Sequence, residues 1–308
     1  MWIIRNRRPC KRSAMYNENN HPALLAIVYI KGELNPKLPF LPMLQIIEVS
    51  AGKVKQELDV QGIGTDNCLM LAATDASIRE AKRLDMAVAA YVNLLLPPQT
   101  YYGVDMLIEG FEEVDEEFLL RVFQRHHGIP WRIAETERCV IREFSLEDMS
   151  ELVELYEQPG ITYRLDKAGR RCPGFIEPLY PMEEELEYQE SYIRHMYRYY
   201  EYGMWLVLDR KTGQLIGRAG IENRSYPEGV EMELGYLIHP AWQHRGIATE
   251  VCSAIIHYAR MHLECDRLSI LTDETNTASV ALAEKLGFVY KGDTDVSGSR
   301  TKKYELIL

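Results

Sequence analysis

The apolar positions of this chain fall in short runs, separated by amphipathic stretches and by turn residues. That pattern predicts strands alternating with helices. Residues 23–30 form the first apolar run and read as a buried strand. Residues 31–42 hold three prolines and a glycine and read as loop. Residues 61–67 form a second turn cluster. Residues 68–73 and 88–92 are apolar runs flanking a helical stretch at 78–86, with Thr74, Asp75 and Ser77 as N-cap residues. This order predicts two parallel strands joined by a helix. A short strand at 104–108 and a helix at 116–127, ended by Gly128 and Pro130, close the first part.

The pattern changes beyond 128–137, where the domain boundary is placed. Residues 139–144 read as a strand, and Ser145 caps a helix with Asp148 three residues on. A long helix rich in tyrosine and glutamate is predicted over 182–202. Strand runs follow at 204–208, 214–221 and 230–239, with turns at 211–213 and 227–229. Then come an apolar helix at 249–262, a strand at 268–272, a helix at 278–286 closed by Gly287, and final strands at 288–290 and 303–308. The fold class is α/β (α+β): a smaller α/β domain over 21–130 and a mixed sheet with helices over 137–308. Residues 1–20 are expected to be a basic, flexible N-terminus.

A chain of 308 residues has room for two such domains, and its 46% hydrophobic and 26% charged residues are ordinary for a globular protein. The net charge of -11 argues against nucleic acid as the main partner, which needs a positive surface. It is compatible with a cationic amine substrate. None of the six cysteines is spaced as C-x-x-C, so free thiols in a reducing cytoplasm are expected, with neither disulfides nor a zinc site. The basic start is separated from the first apolar run, which does not suit a signal peptide. That run is also too short to cross a membrane, and no membrane partner is expected.

The segment that carries chemistry runs from Glu233 to Thr249. A strand leads into a turn, and the turn opens a helix. The turn holds Gln243, Gly246 and Ala248 in a Q-x-x-G-x-A pattern. Small residues let a ligand approach the backbone, and the helix start offers unpaired N–H groups and the positive end of the dipole. Together these suit a pyrophosphate without a metal. Taken alone, the pattern also fits plain helix packing. It is neither a Walker loop nor a G-x-G-x-x-G.

What lies downstream adds specificity. Gln243, Gly246 and Ala248, then Asn276 to Ser279 as N-x-x-S, then Lys285 to Phe288 as K-x-G-F, resemble the core of the GNAT acetyltransferases. The E-L-G-Y start at Glu233 resembles the branch acting on ribosomal-protein N-termini and other amines. The resemblance covers about the last 170 residues. It implies acetyl-CoA as co-substrate, no metal, and an amine acceptor on a small molecule or protein. It implies that the two central strands splay apart. The pantetheine arm would then lie against the backbone of Leu237, Ile238 and His239, whose N–H groups could hold a developing oxyanion. The pyrophosphate would sit on the amides of His244, Arg245, Gly246, Ile247, Ala248 and Thr249. Asn276 and Ser279 would reach the cofactor arm.

An attacking amine must lose a proton, which a carboxylate can take through water. Glu231 and Glu233 lie on one strand face, and Glu222 ends the preceding strand. Glu233 is preferred for its place in E-L-G-Y. The same glutamates also read as a solvated strand face or as ion-pair partners. Where many family members carry a tyrosine acid, this chain has Ala283, and Ser279 could donate instead. A catalytically weak acyl-CoA sensor is the alternative function, and a homodimer is allowed.

The first part faintly resembles the last βαβ portion of a haloacid dehalogenase-like phosphatase. It has no D-x-D pair within residues 1–130. Asp75 is read as an N-cap, and the domain as degenerate, serving packing, dimerisation or substrate presentation.

Overall fold

The computed structural model describes residues 21–34, 41–165, 169–226, 229–296 and 299–308. The basic start and the turn positions Pro227 and Glu228 therefore lie outside the described residues. The chain divides into units Met1–Ile129 and Pro130–Leu308.

The N-terminal unit is built on five parallel strands: β1 (Ala26–Ile30), β2 (Gln45–Val49), β3 (Cys68–Ala72), β4 (Ala87–Tyr91) and β5 (Met106–Ile108). Their order is β2-β1-β3-β4-β5. Helices α1 (Val54–Gln61), α2 (Asp75–Arg83) and α3 (Glu116–His126) accompany them. Strand β3 is buried at every position, as expected of a parallel sheet covered on both faces. Alternate residues feed two cores. Val28, Met70 and Val88 join Val54, Leu58 and Ile78. Ile27, Leu69 and Ala87 join Leu119, Val122 and Phe123.

The C-terminal unit holds β6 (Arg132–Glu135), β7 (Cys139–Arg142), α4 (Met149–Tyr156), β8 (Tyr163–Leu165), β9 (Arg171–Pro173) and α5 (Met182–Tyr192). After these come β10 (Met204–Asp209), β11 (Leu215–Tyr226), β12 (Gly229–Ile238), α6 (Ile247–His262), β13 (Arg267–Asp273), α7 (Thr277–Lys285), β14 (Val289–Val296) and β15 (Ser299–Ile307). Its sheet runs β14-β15-β13-β12-β11-β10-β7-β6, and β8–β9 form a separate hairpin. Every pairing in the large sheet is antiparallel except β12 with β13. Trp205, Ile216, Leu234, Val251, Ile255 and Ile270 are central to one continuous core.

The predicted helix over 182–202 is not regular. It is α-helical only to Tyr192, and Ile193–Tyr200 is wound as a π-helix. The wider turn carries Tyr197 into the core, where its hydroxyl donates to the Met204 carbonyl at 2.6 Å. Tyr192 Oη accepts from the Met204 amide at 2.7 Å. Two tyrosines thus clamp the start of β10. Gly203 leaves them room, because a Cβ there would stand 2.9 Å from Tyr192 Oη.

No helix among the described residues is long and apolar enough to cross a membrane. Cys68, Cys139, Cys252 and Cys265 are free, and burial raises each of their thiol pKa values.

Candidate active site

Strands β12 and β13 meet at a single residue pair, Glu233 with Ser269. On its other side β12 is paired with β11 without a break, from Gly217–Ile238 to Tyr226–Gly229. The C-terminal part of β12 therefore has a free edge toward β13.

Which backbone groups face that edge follows from strand alternation. His239 N–H donates to the Ile216 carbonyl at 2.8 Å, so it points toward β11. Leu237, two residues earlier, shares that side. Ile238 and Tyr236 turn their peptide groups to the open edge. This corrects the expectation for Leu237, whose backbone groups belong to the β11 ladder, and for His239, whose N–H joins that ladder while its carbonyl accepts from Trp242 N at 2.8 Å. The Ile238 carbonyl is also engaged, by Gln243 Nε2 at 2.8 Å. Gln243 thus braces the turn from inside, and the Ile238 amide is what remains of the predicted trio. The reason is strand parity, which is fixed only by the pairing with β11.

The turn then reaches α6. His244 and Gly246 adopt left-handed backbones, with φ of 58° and 77°. Glycine is required at 246 by that angle. The helix begins without a side-chain cap, and its first i→i−4 bond is Glu250 N to Gly246 O at 3.1 Å. The amides of Ile247, Ala248 and Thr249 precede that bond and form a bare helix head. Arg245 spreads over Trp242 with 5.4 Å to the ring centre.

Arg138, on the β6–β7 turn, was not foreseen. Its Nε donates to Glu250 Oε2 at 2.7 Å, and Nη1 donates to the Arg245 carbonyl at 2.8 Å. Burial raises the Glu250 carboxyl, but hydrogen bonds from Thr136 and Arg138 outweigh it and hold the pKa below the usual range. The helix head is therefore pinned from the sheet and is not plugged by a capping side chain. No sequence pattern joins residues over a hundred positions apart, so only the fold could show this brace.

Of the three glutamates, Glu233 and Glu222 are opposed in register, and Glu231 lies opposite Arg224. All four occupy one sheet face. Glu233 forms an ion pair with Arg224. Burial is the largest influence on Glu233 and raises its pKa, and the Arg224 charge only partly offsets it. Glu231 Oε1 is held by Lys303 Nζ at 2.7 Å, which also lies 3.1 Å from Glu305. Glu222 accepts from Tyr192 Oη at 2.9 Å.

Asn276 is the N-cap of α7, accepting from Ser279 N at 3.2 Å. The Ser279 hydroxyl accepts from Tyr236 Oη at 3.0 Å, which leaves its own proton free to point onward. Burial pushes the Tyr236 phenol up to about 12, so it remains a donor at neutral pH. Nothing in the E-L-G-Y pattern points from Tyr236 to Ser279, 43 positions away, so only the fold shows this contact. Ala283 is fully buried, so that position opens onto core and not onto the cleft.

In the N-terminal unit the topological switch point lies between β1 and β3, the place where open parallel sheets bind anions. There Glu33 takes the donors itself. Its carboxylate accepts from Ala73 N at 3.1 Å, Thr74 Oγ1 at 2.8 Å and Ser77 Oγ at 2.7 Å. Thr74, not Asp75, caps α2. Asp75 instead accepts from the Thr100 and Tyr101 amides at 3.1 and 2.9 Å, and these bonds, Thr100 first, hold its pKa low. No cluster able to hold a metal occurs among the described residues.

Two parallel strands joined at one residue pair, beside an uncapped helix head, give the C-terminal unit an α/β fold with an open central seam. Residues 138–289 match the family model described as the acetyltransferase (GNAT) domain, and the C-terminal unit belongs to that superfamily. The uncharacterized protein YkkB of Bacillus subtilis (strain 168) is 30% identical over 91 residues, which are 30% of this chain and 53% of YkkB. The match thus spans about half the length of that relative. The uncharacterized N-acetyltransferase YoaA of the same organism is 25% identical over 160 residues, or 52% of this chain and 84% of YoaA. Among solved structures, an acetyltransferase from Agrobacterium tumefaciens str. C58 is 22% identical, with a TM-score of 0.44, covering 57% of this chain and 94% of that one.

Proposed function

We propose that this protein is an acyl-CoA-dependent N-acyltransferase that moves an acetyl group from acetyl-CoA to a primary amine of a small molecule or protein. The observation that carries this reading is the lone Glu233–Ser269 pair between β12 and β13, directly before the bare head of α6. The residues suit the co-substrate. The Ile247, Ala248 and Thr249 amides with the turn before them offer donors to a pyrophosphate, and the Tyr236 peptide groups with the Ile238 amide offer pairing to an amide-containing arm. When bound, acetyl-CoA supplies an activated acyl group as a thioester.

The chain's own residues supply positioning and proton movement. Glu233, with its raised pKa, takes a proton from the amine through water. The nitrogen lone pair forms the new C–N bond as the C–S bond breaks, and the sulfur leaves with the electron pair. Ser279, backed by the Tyr236 hydroxyl, provides a proton to that sulfur. For the N-terminal unit we propose a non-catalytic role, supported by Glu33 occupying its own switch point.

A weak acyl-CoA sensor is the second reading, favoured by the hold of Arg224 on Glu233. Titration calorimetry with acetyl-CoA, followed by a thiol-release assay over a panel of amines, tests both. Binding with turnover is expected. Tight binding with no thiol released from any amine would select the sensor, and no binding at all would remove both.

A further inference from the structure

Helix–sheet layers are ordinarily apolar, but the layer beneath α5 is polar. α5 buries Glu185, Gln189 and Tyr192 along one stripe. β11 meets that stripe with Glu222, bonded to Tyr192, and with Arg218 on the same face. Arg218 is only 6% exposed. Its Nη1 donates to Tyr156 Oη at 3.2 Å, and its guanidinium carbon lies 5.8 Å from the Tyr192 ring centre. Its Nε–H is buried and has no acceptor. Among the described residues no carboxylate forms an ion pair with it. The phenols around it provide no counter-charge, since burial holds the pKa values of Tyr192 and Tyr197 well above their ordinary value. On the same stripe as Tyr192, Gln189 Oε1 is likewise buried without a donor.

A guanidinium with its Nε–H buried and unpaired and no counter-ion is costly to keep in a fold. Its planar fork is made for a carboxylate. Arg218 lies opposite Leu237 in register, next to the end of β12 where the transfer reading places the thioester. We propose that Arg218 is the recognition site for a carboxylate carried by a substrate beside its reacting group; this rests on the acyl-transfer reading of the same face. Two sources offer that chemistry: an amino-acid acceptor, or a dicarboxylic acyl chain. Glu222 and Glu233 on the same face suit the ammonium of the first.

The test uses the full-length protein and matched ligands that differ only in the carboxylate. With CoA present, calorimetry compares N-acetylphenylalanine with N-acetyl-2-phenylethylamine, and N-acetylleucine with N-acetyl-3-methylbutylamine. A separate arm compares succinyl-CoA with butyryl-CoA. In one arm the carboxylate member should bind at least tenfold tighter, and Arg218→Met should erase that preference. The arm that responds identifies the source. Without ligand, R218M should melt at or above the wild type, because it removes an unpaired buried charge; a purely structural arginine would give a fall of several degrees. Should R218M fold poorly, R218K carries the same test, losing affinity for the carboxylate member alone. A wild type that binds acetyl-CoA but shows no carboxylate preference in any pair overturns the Arg218 assignment by itself. A wild type that binds no acetyl-CoA overturns the transfer reading as well.

Discussion

At the scale of single residues, the site turns on how one face of β11 and β12 distributes charge. Three glutamates share that face, yet each has a different partner: Tyr192 for Glu222, Lys303 for Glu231, and Arg224 for Glu233. Burial raises the pKa of Glu233. A base must be ionised to work, so the wild-type rate should fall as pH drops through the Glu233 pKa, which lies above the usual glutamate range. Glu233→Gln should lower kcat/KM by roughly 10²–10⁴ and abolish that acid limb. An acid limb that survives in the variant would assign the base elsewhere. Glu233 was legible from its strand neighbours, whereas its Arg224 partner was not, because a diagonal contact depends on the exact register of the hairpin.

At the scale of elements, two devices set the geometry. The first is Gly246, whose left-handed backbone opens α6. Gly246→Ala should cost roughly 1–2 kcal/mol in that conformation. If the turn relaxes to avoid the strain, acetyl-CoA affinity should drop about tenfold by calorimetry. Unchanged affinity would mean that the bare amides do not hold the ligand. The second is the Ser145–Asp148 capping box of the 3-10 turn Leu146–Asp148 that leads into α4, reinforced by Arg142 at 2.5 Å. Burial raises the Asp148 carboxyl, but hydrogen bonds from Arg142 and Ser145 win, and its folded pKa lies below the unfolded value. Its contribution is therefore present above the unfolded pKa and is lost as pH falls through the lower, folded one. Asp148→Asn should melt lower than wild type at pH 7, by about 0.5–2 kcal/mol for the cap, with the gap closing below about pH 4. A gap that does not change with pH would exclude the charge as its cause.

That box, the β3–α2–β4 unit and the strands from Met204 onward were visible in the sequence because periodicity and cap residues agree there. Strand β2 and helix α1 were not. β2 exposes alternate residues, including Ile46, and α1 is short and starts at Lys53 without a side-chain cap. The break at Tyr192 was hidden too, since a π-turn keeps helical composition while shifting which side chains point inward.

At the scale of the whole molecule, the two units present different solutions to the same problem at a parallel strand end. In one, Glu33 fills the space with the chain's own carboxylate; in the other, the space is left between β12 and β13. The second choice has a mechanical consequence. A sheet whose two wings are fastened at one backbone pair has a seam, and whatever lies along that seam becomes mortar for both sides. Hydrogen–deuterium exchange should therefore find the Ile238 and Tyr236 amides fast in the free protein. Acetyl-CoA should slow both together, along with the opposing edge of β13. If those amides exchange at the same rate with and without it, the ligand does not lie along the seam, and the wings are joined only by the Glu233–Ser269 pair and by side chains such as Lys303 reaching to Glu231.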